Sequence, residues 1–481
     1  MPATGHHVEP QRTANRVPGQ GLRPLSGPSE VRLTSLPVFR TDPLLTTSRA
    51  EDGLPLVDRP PQKRRPAAGR MVRRRKWLAF SILAVWGPGL IVMLADTDAG
   101  CLITAAQSGA QWGYTMVLPQ LVLMPVLYMA QEMVVRLGVV TGKGHGQLIR
   151  DHFGVGWGLL SATTLFVSAI GALLTEFAGV AGVGELFGIS KWVTVPVATA
   201  FLVGLAFGRS YRRVERIGIA LGLAELAFVP AMIFAHPSVH QLVKGLGTLP
   251  LGNGSYLYLL AANVGAVVMP WMIFYQQSAI VDKGLRPADL RAERRDTAVG
   301  TIVTQGIMIV VIVAFAATVF RTGGHQALDS VGQLAGALAP HIGSSVSKAL
   351  VGAAVLGGAL VAALVVSLAG SWGISEVLGW RHSLNDRPSR ANARFYALYI
   401  LAHVIGAVLV LASFDLVSLA VDVEVMNALL LPIVLGFLLA LEAKALPPEH
   451  RMKGAYRFAC TGLCLVVMGF GLYMVPRVIG W

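Results

Sequence analysis

The sequence predicts an all-α, polytopic membrane protein of about 11 transmembrane helices, arranged as two inverted five-helix repeats with helices 1 and 6 broken. Three observations predict it. The 481 residues are 54% hydrophobic and only 14% charged, against about 25% charged in an ordinary soluble domain. The apolar content falls in runs of about 20 residues, the length a helix needs to cross a bilayer of about 30 Å. Two of these runs, in corresponding halves of the chain, are interrupted by acidic, glycine or proline residues that a plain anchor helix would not need. The alternating pattern of a membrane barrel is absent.

Residues 1–76 are rich in Pro, Arg, Ser and Thr and end in Arg73-Arg74-Arg75-Lys76. They are read as a disordered, basic cytoplasmic tail preceding a transporter domain over 77–481. The first apolar run begins only at Trp77, so no signal peptide is expected. From there, spans are placed at 77–112 (interrupted), 114–136, 158–183, 190–208, 216–236, 254–281 (interrupted), 298–320, 347–378, 393–413, 415–441 and 456–478.

Charge sets the orientation. The loops after spans 2, 4, 6, 8 and 10 carry the clusters of Lys and Arg, for example Arg136, Lys143 and Arg150, then Arg209, Arg212 and Arg213. The opposite loops hold few basic residues. An inner-membrane protein with its amino terminus in the cytoplasm and its carboxyl terminus outside follows. The net charge of +14 is thereby assigned to topology, and no nucleic-acid partner is expected. The three cysteines, Cys101, Cys460 and Cys464, all lie in apolar segments and suggest neither disulfides nor a zinc pattern.

Span 1 carries Asp96-Thr97-Asp98-Ala99-Gly100-Cys101 in the middle of an apolar run, and span 6 carries Ala266-Val267-Val268-Met269-Pro270. A carboxylate at mid-membrane costs several kcal/mol unless it meets a cation, a proton or a partner. Unwound backbone beside it exposes carbonyl oxygens. The expected cation site therefore takes oxygen from Asp98 and Asp96, sulfur from Cys101 and Met269, and a carbonyl from Ala266. Glu424, two residues after Asp422 in span 10, lies deep enough to join the ion path. Glu176 in span 3 and Arg136 at the end of span 2 are candidates for a proton relay or a structural ion pair, whereas Glu132 and Glu225 are read as structural or interfacial. The mixed donor set leaves the ion open between soft and hard divalents. No nucleophile, base and oxyanion constellation suggests an enzyme, and any metal is cargo rather than cofactor.

From Trp86 onward the chain resembles the Nramp family of divalent-metal transporters. Gly87-Pro88-Gly89 and Asp98-Ala99-Gly100-Cys101 are similar to the family's Gly-Pro-Gly and Asp-Pro-Gly-Asn, and Arg136-Leu-Gly-Val-Val-Thr-Gly-Lys143 to its segment after span 2. Ala266-Val-Val-Met269-Pro270 resembles Ala-x-x-Met-Pro, whose alanine carbonyl and methionine sulfur bind metal in the family. The resemblance implies alternating access with manganese, iron or, as in the related magnesium branch, magnesium as cargo, and protons as possible co-substrate. Five departures stand out: Cys101 replaces asparagine, Ala99 proline, Trp271 a histidine, Glu424 a glutamine and Leu173 a span-3 aspartate. Losing that histidine and aspartate removes part of the family's proton relay. The rival reading is a cation-coupled amino-acid symporter of the same broken-helix fold, in which half-helix amino termini would bind the substrate carboxylate; Asp98 would repel it.

Overall fold

The structure, a computed structural model, describes residues 87–207, 211–323, 327–386, 388–413 and 415–479. The expected tail over 1–76 and the start of span 1 lie outside these. The described residues form helices and turns with no strand.

Helix 1 is split into α1 (Pro88–Asp96) and α2 (Ala99–Trp112), and helix 6 into α10 (Gly254–Val267) and α11 (Pro270–Lys283). Between them run α3 (Val117–Thr141), the short α4 (His145–Phe153), α5 (Val155–Leu186), α6 (Lys191–Ala206), α7 (Tyr211–Gly222), α8 (Phe228–Phe234) and the short α9 (Val239–Leu246). After them come α12 (Leu290–Thr318), α13 (Val331–Ile342), α14 (Ser344–Leu378), α15 (Ala393–Ala412), α16 (Leu416–Ala445) and α17 (Gly454–Ile479). The expected span limits agree with these helices to within a few residues, except that α12 starts at Leu290, eight residues before the expected 298, because its first two turns carry the basic residues used there as a loop.

Among the described residues, nine helical stretches are long and apolar enough to cross a membrane. The expected eleven differ from these nine for two reasons. The stretch from α2 to α3 runs on through a 3-10 turn at Gly113–Met116 as one helical unit, and α6 is shorter than the rest. That turn needs glycine: Gly113 has φ +59° and lies against the Phe320 ring.

The packing partners exchange in pairs, as two structural repeats require. Half-helix α1 packs on α7 and α12, while α10 packs on their counterparts α16 and α3. Likewise α2 packs on α12 and α5, and α11 on α3 and α14. The four half-helices thus meet at the centre of the bundle, where every residue from Gly87 to Ala110 is buried.

Candidate metal site at the two helix breaks

Helix 1 stops at Thr97, whose ψ of 47° leaves the helical region, and restarts with Asp98 as an extended N-cap. The Asp98 carboxylate Oδ1 accepts the Cys101 N–H at 2.7 Å, which satisfies one of the orphan donors that every helix start presents. Helix 6 stops at Val268 and restarts after an extended Met269, with Pro270 at the first position of α11. Proline fits there because the N–H it lacks would have no intrahelical partner.

The last carbonyls of α10 are left without helical donors by the same break. One of them, Ala266 O, accepts the Cys101 thiol at 3.3 Å. Glu424 approaches from α16: Gly265 is the point of contact, since a side chain there would overlap the Glu424 carbonyl. A Cβ on Gly100 would lie 2.6 Å from Glu424 Oε1, so glycine at 100 keeps the carboxylate's place open. The Glu424 Oε2 accepts Asn427 Nδ2 at 3.1 Å, and Asn427 in turn accepts Ser168 at 2.8 Å.

Three donor atoms of Asp98, Cys101 and Glu424 consequently lie within 4.8 Å of one another, all buried. Asp98 Oδ2 and Glu424 Oε1 have no hydrogen-bond partner. Two buried carboxylate oxygens left open on the same small volume, with a thiol and a helix-end carbonyl beside them, make a cation-binding arrangement.

The remaining candidates are placed differently. Glu176 borders the site from α5, its Oε2 accepting the Ala99 N–H at 3.2 Å. Asp96, expected among the ligands, instead faces α12, where its Oδ2 accepts Gln305 Nε2 at 3.4 Å. The turn of the chain at Thr97 separates the two aspartates. Met269 is fully buried in the helix 6 break, and its sulfur accepts the Trp271 indole N–H at 3.2 Å. Arg136 lies in a buried ion network, 2.8 Å from Glu132 and 3.3 Å from Glu442, with Arg294 on the far oxygen of Glu132 at 2.6 Å. Glu132, read from the sequence as structural or interfacial, thus lies between two arginines.

Two residues were not anticipated. Glu225, read as structural or interfacial, is fully buried at the helix 1 break, where it accepts the Thr97 hydroxyl. A lone carboxylate inside the apolar run from Ile219 to Ile233 is the signal that marks it. Asp296 of α12 accepts the N–H groups of Gly87 and Leu90 at 3.1 and 2.9 Å, capping the amino terminus of α1. Its position among the charged residues of the first turns of α12, outside the apolar run, gives no such signal.

None of Asp96, Asp98, Glu176, Glu225 and Glu424 makes an ion pair among the described residues. A cluster of this kind is expensive unless it holds cations or protons.

Comparison with known proteins agrees with this arrangement. The family profile described as "Nramp: Natural resistance-associated macrophage protein-like" matches residues 89–476. A divalent metal cation transporter MntH of Klebsiella pneumoniae is 29% identical over 297 residues, 60% of this chain and 71% of that protein. The MntH of Brucella suis is 29% identical over 331 residues, 66% of this chain and 71% of its own length. Among solved structures, a manganese transporter of Eremococcus coleocola superposes with a TM-score of 0.66 at 19% identity, covering 83% of this chain and 87% of that one. A sodium-coupled sialic acid symporter superposes at 0.54 with 13% identity, covering 82% and 89%. With the profile spanning both broken helices and all the site residues, this multi-pass membrane protein, a transporter rather than an enzyme, belongs to the Nramp family.

Proposed function

We propose that this chain carries a divalent metal ion across the cell membrane by alternating access, holding it between the two helix breaks. The observation that carries the reading is the open pair of buried oxygens, Asp98 Oδ2 and Glu424 Oε1, set against the Cys101 thiol and the Ala266 carbonyl. Two carboxylates match a double positive charge, and the thiol favours manganese or iron over magnesium. Met269 adds a thioether once its sulfur is released from Trp271. The same carboxylates would repel an amino-acid carboxylate, which disfavours the symporter alternative. The relatives named divalent metal cation transporter support the cargo class.

Every site residue is at most 1% exposed, so the ion is reached only when helices part. The two half-helices are the natural moving parts, since each is joined to its partner through a few unwound residues. The tail over 1–76 and the basic even-numbered loops face the cytoplasm in this reading.

The test is uptake of manganese, iron and magnesium, in parallel, by purified protein in liposomes. Asp98→Ala removes a charged ligand and leaves the dication's desolvation uncompensated, so uptake is expected to fall to the level of empty liposomes. Uptake at the wild-type rate in that variant would remove Asp98 from the site.

A further inference from the structure

One buried carboxylate that the metal site does not use is Glu225. It is fully buried and stands in a 3-10 stretch, Leu223–Ala227, that interrupts the helical path between α7 and α8. A 3-10 stretch in mid-helix often marks a functional hinge or a sequence under strain. The stretch brings Glu225 to the helix 1 break. Its Oε2 accepts the Thr97 hydroxyl, while its Oε1 has no partner.

The open oxygen is aimed at a point shared with another acceptor. Gly358 of α14 has no side chain there; the position its Cβ would take is 3.2 Å from Glu225 Oε1 and 2.8 Å from the Thr97 carbonyl oxygen. A carboxylate oxygen and a carbonyl oxygen thus converge beside one glycine, the Thr97 hydroxyl lies on the other oxygen of the same carboxylate, and Glu225 makes no Lys or Arg ion pair among the described residues.

We propose that Glu225 and Thr97 form a second cation station, on the α7 side of the break, that takes a sodium ion. The donor set is oxygen only, which selects a hard ion. It contains a single carboxylate, whose one negative charge is balanced by one alkali ion, whereas the metal site across the break carries two carboxylates and a thiol. Thr97 lies between the two sites in the chain, next to Asp98, so occupation of one is felt at the other through the unwound turn.

The experiment is thermal unfolding of the full-length protein in detergent, at equal ionic strength, in sodium, potassium or choline chloride, each with and without manganese. An ion that binds only the folded state raises the melting temperature. Sodium is expected to raise it in the wild type relative to choline and potassium, and to lose that effect in Glu225→Gln, which keeps the side-chain volume and an oxygen for the Thr97 hydroxyl. A manganese shift retained in Glu225→Gln shows that the variant is folded. Should Glu225→Gln not fold, Thr97→Val takes its place in the same comparison. Identical melting in sodium and choline for the wild type, or a sodium shift that survives Glu225→Gln, overturns the proposal. The two arms test different readings: absence of any manganese shift counts against the divalent-metal reading, whereas the sodium shift measured without manganese decides the second station.

Discussion

The Cys101 thiol donates to the Ala266 carbonyl at 3.3 Å, joining the start of one half-helix to the end of another 165 residues away. Cys101 and Ala266 each sit where a helix has run out of its own hydrogen-bond partners, so the contact exists only because both helices are broken at the same depth. The bond also ties the α2 half of the first repeat to the α10 half of the second. A cation that took both the sulfur and the oxygen as ligands would replace this hydrogen bond with coordination.

Sulfur at the site predicts selectivity. Met269→Ala is expected to weaken manganese and cadmium binding by about tenfold and to let magnesium or calcium compete better, because a thioether favours softer ions. Competition against radiolabelled manganese uptake measures it. Unchanged selectivity would return Met269 to a packing role, its sulfur serving only the Trp271 indole.

The ion network around Arg136 predicts a loss of stability rather than of transport. Arg136→Ala leaves Glu442 without its cation and removes one of the two that hold Glu132. Breaking a buried pair from one side costs about 3 kcal/mol or more. The melting temperature should fall while manganese uptake per folded molecule is kept. Unaltered melting with lost uptake would instead give Arg136 a part in a proton relay.

His145 predicts a pH effect. It opens α4, between the spans, with Nδ1 3.0 Å from Gln277 Oε1 and Nε2 buried without a partner. Burial pushes its imidazole down from 6.5 to about 4. Above pH 6.5 the ring is neutral in folded and unfolded chains alike, and its contribution does not vary. As pH falls from there towards about 4, the unfolded chain takes a proton that the folded one refuses, and stability drops by up to about 3 kcal/mol. Melting of wild type and His145→Gln between pH 7 and pH 4.5, roughly the window of this titration, isolates the contribution of this imidazole. Parallel curves for the two proteins would exclude it.

The breaks themselves were legible in the sequence. Asp98 in an apolar run and Pro270 after Met269 cannot continue a membrane helix unaided, and local chemistry alone announces them. The membership of Cys101, Ala266 and Glu424 in one site came from the resemblance and from depth along each span. Which way a carboxylate faces was not legible. Asp96 turns to Gln305 on α12, 209 residues away, and Glu225 reaches Thr97 across 128 residues. Such contacts follow from helix rotation and from the 3-10 tightening at Leu223–Ala227, neither of which a hydropathy pattern records.

Proton coupling is the last question the site raises. Trp271 follows Pro270 with its indole committed to Met269, and Leu173 on α5 packs against Gly406 of α15. Neither can carry a proton, so two positions that are titratable in the wider family are silent here. Glu176, Asp96 and Glu424 remain, Glu176 held by the Ala99 N–H at the site's edge, and intramembrane carboxylates are able to relay protons. The other oxygen of Glu176 accepts the neighbouring Thr175 hydroxyl at 3.2 Å, and among the described residues no side-chain hydrogen bond carries this link beyond α5. A group at the edge of the site without an onward path favours metal movement that is weakly coupled to protons. Metal flux is therefore expected to change little under an imposed pH gradient, and a pH-sensitive dye trapped in liposomes should report little acidification during manganese entry at a clamped potential. Strong metal-dependent acidification would sink this reading, and its loss in Glu176→Gln would then identify Glu176 as the substitute relay.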